Sequence, residues 1–121
     1  MASGTINKYM DGTDSGWKYI TGEAGDSKPF NGTIYYRTIG NIVTIQTSGT
    51  YLKTTLTGSY VLLANGFLSK VPKAILYAYC ANTSKSCPVR VDTSGNLHLF
   101  KGANSSWTTE DAIAFTIVYL V

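Results

Sequence analysis

His98 is the single histidine of this 121-residue chain, and it bounds the chemistry open to the sequence. Nucleophilic catalysis needs a nucleophile, a base and a group that orients the base. His98 lies in the alternating run Asn96-Leu97-His98-Leu99-Phe100, which places it mid-strand and points it to the polar face as a surface side chain. No G-x-S-x-G, H-E-x-x-H or P-loop motif occurs. Glycoside cleavage needs two facing carboxylates. The seven acids, Asp11, Asp14, Glu23, Asp26, Asp92, Glu110 and Asp111, all fall in stretches that read as loops or turns. The neighbours Glu110 and Asp111 suit solvation or a turn cap better than an acid and base pair. Tetrahedral zinc takes about four ligands, and Cys80, Cys87 and His98 supply too few. Cys80 and Cys87, with six residues between them, are either a disulfide closing a short hairpin loop or a pair of free, partly buried thiols. The expectation is a binding module: not an enzyme, with no metal and no cofactor.

Aromatic residues offer more. The chain has nine tyrosines and two tryptophans. A sugar ring exposes a C–H face that stacks on an aromatic plane, while a few polar groups fix its orientation. Trp107 stands between Ser106 and Thr108 in a polar loop, so it is either a sugar platform or a plug over one end of the core. Trp17 opens a strand and reads as core. Tyr77 and Tyr79 share a face with Ile75 in the run Ala74–Cys80, and Tyr35 and Tyr36 must point to opposite faces. Arg90 alternates with Val89 and Val91. The candidate ligand-binding residues are therefore Trp107, Tyr77, Tyr79, Arg90 and His98.

The elements that position them read as strands. Ile34–Ile39 and Ile42–Thr47 are β-branched and aromatic runs joined only by Gly40-Asn41, a tight hairpin in which Gly40 can take the positive φ that such turns require. A second hairpin joins Val89–Asp92 to Asn96–Phe100 through the Asp92–Gly95 turn. Shorter strands are expected at Trp17–Ile20, Tyr60–Leu63 and Ala74–Cys80. The last run, Ala112–Val121, is apolar on both faces, which predicts a central strand or one covered by a partner. Residues 1–16 read as a loosely held leading segment and residues 17–121 as one domain. No helical period persists, so the fold class is all-β, an antiparallel sandwich or barrel.

Composition agrees with a folded domain. Apolar residues are 44% and charged residues only 14%, with 27 serines and threonines supplying polarity. This hydroxyl-rich surface suits an extracellular or virion protein. Net charge is +3, with the eight lysines and two arginines scattered, so no nucleic-acid stripe is visible, while an anionic surface would be weakly attracted. No apolar run follows Met1 and no stretch approaches 18 apolar residues, so neither a signal peptide nor membrane insertion is expected.

Several segments carry a family resemblance. They are Trp17-Lys18-Tyr19 after a Gly/Asp/Ser segment, Tyr36-Arg37-Thr38-Ile39-Gly40-Asn41-Ile42-Val43-Thr44-Ile45, Lys70-Val71-Pro72, Val89 to Leu97, and Phe115 to Leu120. In this order they resemble the C-terminal receptor-binding head domains of phage tail-fibre, tailspike and baseplate proteins, especially from phages of Gram-positive bacteria. Where those domains often have Leu-Pro, this chain reads Leu62-Leu63-Ala64-Asn65, a departure that fits a divergent branch or a prophage-derived protein. The resemblance implies a jelly-roll-like β-sandwich assembled as a homotrimer. It also implies a place in the virion beside other tail or baseplate proteins, and non-enzymatic attachment to host cell-surface polysaccharide. The alternative is a purely structural trimerising tip without a ligand. An enzyme with carboxylates assembled across subunits and an unrelated secreted lectin are the remaining readings.

Overall fold

The computed structural model describes residues 13–82 and 84–121. Eight strands are found: β1 (Lys18–Gly22), β2 (Phe30–Ile39), β3 (Ile42–Leu52), β4 (Tyr60–Ala64), β5 (Leu76–Ala81), β6 (Ser86–Val91), β7 (Leu97–Phe100) and β8 (Thr116–Leu120). No helix occurs among the described residues. The strands form two antiparallel sheets, ordered β1-β2-β3-β8 and β4-β7-β6-β5. Both predicted hairpins are present. Ile39 pairs with Ile42 across Gly40-Asn41, with Gly40 at φ 57°. Asp92 closes the other turn by accepting hydrogen bonds from the Ser94 and Asn96 amides at 2.9 and 3.0 Å.

Alternation explains the core. From the first sheet Ile34, Val43, Ile45, Ile117 and Tyr119 point inward, and from the second Val89, Val91, Leu97 and Leu99 meet them in one buried cluster. Tyr119 is buried, and its hydroxyl donates to the Lys70 carbonyl at 2.6 Å. Burial pushes its pKa up to about 12. The β2–β3 pairing shifts register at a bulge between Asn31 and Thr33. Gly32 sits there at φ 103°, where an added Cβ would lie 2.2 Å from the Gly49 carbonyl oxygen. Only glycine lets the two backbones approach so closely.

Several expectations need correction. Residues 1–12 of the leading segment lie outside the described residues, but 13–16 are held to the β2–β3 hairpin. Ser15 donates to Thr38 and Gly40 donates to Thr13 at 2.9 and 2.8 Å. Trp17 is not core: it is 47% exposed, because the chain enters β1 over the outer face of the first sheet. The closing strand is not central. β8 lies at the end of its sheet, with Ile117 and Tyr119 inward and Val118 and Leu120 outward, 61% and 73% exposed. Cys80 and Cys87 are free, buried thiols placed directly opposite each other on β5 and β6.

Candidate functional site

The second sheet gathers four of the five candidate residues on its outer face. Register places Tyr77 opposite Arg90, Arg90 opposite His98, and His98 opposite Leu62. One row along, Tyr79 faces Pro88, and Phe100 faces Tyr60. Side chains two apart on a strand share a face, so the two rows form one surface across β5, β6, β7 and β4. Tyr77 is 60% exposed and Tyr79 73%. Pro88 fits this surface because Tyr79 and Pro88 form a pair that need not exchange a proline amide.

The rings form a connected cluster. Tyr60 meets the His98 ring edge-on at 5.3 Å and the Phe100 ring at 5.4 Å, and Tyr77 reaches Phe100 at 6.5 Å. The Arg90 guanidinium lies 4.8 Å from the Phe100 centroid, a cation–π contact that holds its plane over the ring. The Arg90 side chain makes no hydrogen bond or ion pair with any described residue, and its Nε is buried without a partner.

His98 is on the predicted face but is not the surface side chain expected there. Tyr60 and Phe100 cover it to 8% exposure, and its Nδ1 is buried without a partner. Burial lowers its pKa below the ordinary 6.5, the Arg90 charge acts the same way, and Asp92 opposes them. The folded imidazole therefore resists a proton that the unfolded one accepts, so the unfolded state binds more protons as the pH falls past 6.5. Stability is full above that pH and declines below it. Asp14 and Asp111, with pKa values near 2, stay ionised throughout this window. Urea midpoints are expected to fall between pH 7.5 and 5, and His98→Gln should flatten the dependence. A wild-type midpoint constant over that range would refute the burial effect.

Trp107 is the candidate that the fold removes from the site. It is fully buried, and its backbone bridges to Leu56 through amide–carbonyl bonds of 2.8 and 3.0 Å in the two directions. It is the plug and not the platform, because its loop folds inward to close the space between the sheets. Beside it, Asp111 accepts hydrogen bonds from the Thr108 amide and hydroxyl, Lys85 and Asn82. Burial pushes the Asp111 pKa up, but Lys85 and the Thr108 donors outweigh it and hold it at about 2. This carboxylate clamps the tip of the β5–β6 hairpin to the Trp107 loop.

A second aromatic surface lies on the outer face of the first sheet. Trp17 meets Tyr35 edge-on at 6.4 Å, Tyr19 lies 6.2 Å from Tyr35, and Trp17, Tyr35 and Gln46 line a shallow cleft. Its cation is already neutralised: Arg37 donates to both oxygens of Asp14, at 3.0 and 2.5 Å. Sequence patterning misses Tyr60 and Phe100 on the second sheet. Phe100 is recoverable, since it shares strand parity with His98, whereas Tyr60 arrives from a distant strand. No group of three or more metal-ligating side chains occurs among the described residues. No helix among them is long and apolar enough to cross a membrane.

No family model matches this chain, no curated protein matches it, and no solved structure matches it.

Proposed function

We propose that this chain is the receptor-binding head of a phage tail fibre or baseplate, a jelly-roll-like homotrimeric domain that binds host cell-surface polysaccharide without enzymatic chemistry. The observation that carries the proposal is the outer face of the second sheet. Four large rings, Tyr60, Tyr77, Tyr79 and Phe100, lie in two rows around an unpaired guanidinium. Stacking planes beside a directed polar group are what a sugar chain requires. An extended, open sheet face also suits a polymer better than a small molecule, which would want an enclosing cavity.

Strand pairing supports the jelly-roll reading. β5, β6 and β7 form a meander and β4 lies beside β7, the Greek-key order from which jelly rolls are built. The trimer reading rests on β8. Among the described residues it is an edge strand, with backbone groups that no neighbouring strand pairs beside exposed Val118 and Leu120, a surface that proteins ordinarily cover. This same observation favours the alternative, a structural trimerising tip without a ligand.

Two measurements separate the readings. Light scattering is expected to give a mass near three times 13.1 kDa, and a clean monomer contradicts the trimer. An array of bacterial capsular and wall polysaccharides is expected to show binding. A trimer that binds none of them supports the structural tip and overturns the receptor-binding reading.

A further inference from the structure

We infer that the polysaccharide held by the second sheet is acidic, and that Arg90 is the residue that binds its carboxylate or phosphate group. This inference rests on the receptor-binding reading and narrows its ligand class. It starts from a contrast between the two arginines of the chain. Arg37, on the first sheet, has its charge answered by Asp14. Arg90 stands in the middle of the aromatic face with no described acceptor of any kind. Asp92, two residues along the chain, cannot answer it without breaking a turn. Asp92 gives one oxygen to the Ser94 and Asn96 amides and the other to the Asn96 side chain at 3.1 Å. The other described aspartates are engaged elsewhere: Asp14 pairs with Arg37, Asp26 with Lys53, and Asp111 with Lys85.

The surroundings raise the value of that charge. Phe100 below and Tyr77 beside it remove water from part of the guanidinium, as the buried Nε records. A charge in a partly dry setting attracts an anion more strongly than one in open water. The planar fork matches the two oxygens of a carboxylate or phosphate. His98 adds a second polar group. It is more than nine-tenths buried beneath Tyr60 and Phe100 and pairs with Arg90 in register, with Nδ1 still without a partner. A folded protein rarely leaves two adjacent polar groups unsatisfied on an aromatic surface without a use for them. An acidic sugar would stack on Tyr77 and Tyr79 while its anionic group reached Arg90.

The test measures affinity by calorimetry for three probes: wall teichoic acid, which supplies phosphate, polygalacturonate, which supplies carboxylate, and neutral dextran. Each is measured at low and high sodium chloride with the wild type, Arg90→Gln, Arg90→Lys and the control Arg37→Gln. Melting curves verify that each variant is folded. At least one acidic probe is expected to bind, more weakly as salt rises. Arg90→Gln should weaken it by about tenfold or more, since a charge-assisted hydrogen bond is removed. Arg90→Lys should recover part of the salt-dependent binding without the bidentate contact, and Arg37→Gln should change nothing. Whichever acidic probe responds to Arg90 identifies the anionic group. Tight binding to dextran that ignores salt and Arg90→Gln overturns the acidic ligand while leaving the receptor-binding reading standing. Binding to none of these probes, with no binding on the polysaccharide array, overturns both.

Discussion

Trp107→Ala is expected to lower the melting temperature by roughly 10–25 °C, because truncating a fully buried tryptophan costs about 3–5 kcal/mol. Most of that cost comes from the cavity left between the sheets, whose walls no longer have the indole to attract them by dispersion. The Leu56 bridge would lose its anchor as well, along with the ring 5.9 Å from the Lys85 ammonium. Since a domain of this kind holds only about 5–15 kcal/mol in total, a partly unfolded population should appear near physiological temperature. Trp107→Phe should be far milder. It keeps most of the apolar volume and removes an indole N–H that is buried without a partner. Thermal melts of both variants check this. A Trp107→Ala protein that melts within a few degrees of wild type would place the side chain at the surface, where it could again serve as a sugar platform.

The double substitution Tyr77→Ala, Tyr79→Ala should have the opposite profile: nearly unchanged folding and a loss of polysaccharide binding of about a hundredfold. The two side chains stand mostly clear of the protein, so their removal opens no cavity and should shift stability by well under about 1 kcal/mol. As stacking anchors, each would be worth roughly 1–2 kcal/mol of binding, and together they approach a hundredfold. The mass in solution should remain that of the wild type, which separates an impaired ligand surface from impaired assembly. Calorimetry against the tightest polysaccharide checks the prediction. Retained affinity in a folded double variant would move the ligand elsewhere, with the Trp17, Tyr19 and Tyr35 surface the next place to look.

These contrasting expectations for Trp107 and for Tyr77 and Tyr79 show which parts of the site are legible in the sequence. Parity within a strand is a local property. It places Ile75, Tyr77 and Tyr79 on one exposed face and Arg90 between two buried valines. The two hairpins are equally legible, because Gly40-Asn41 and Asp92–Gly95 carry their own turn chemistry. The fate of Trp107 is not local. Ser106 and Thr108 beside it say only that the loop is polar, whereas its burial follows from a bridge to Leu56 in a distant part of the chain. His98 is obscured in the same way. Its alternation gives the correct face, but the ring that covers it, Tyr60, comes from β4, and nothing near His98 announces that β4 pairs with β7. Trp17 misleads for a different reason. Its place at the start of a strand suggests core, yet it packs with Tyr19 and Tyr35 on the outer face of the first sheet. The last strand is apolar on both faces, as its residues say, and Val118 and Leu120 lie on the outer face of its sheet.

The central claim is that the outer face of the second sheet is where polysaccharide binds. Amide chemical-shift mapping on the isotope-labelled protein, titrated with the polysaccharide that binds tightest, tests it most directly. The account predicts perturbations concentrated at residues 60–62, 75–79, 88–90 and 98–100, with the Arg90 side-chain signal moving most. Perturbations centred on Trp17, Tyr19 and Tyr35, or spread without a focus, would contradict it.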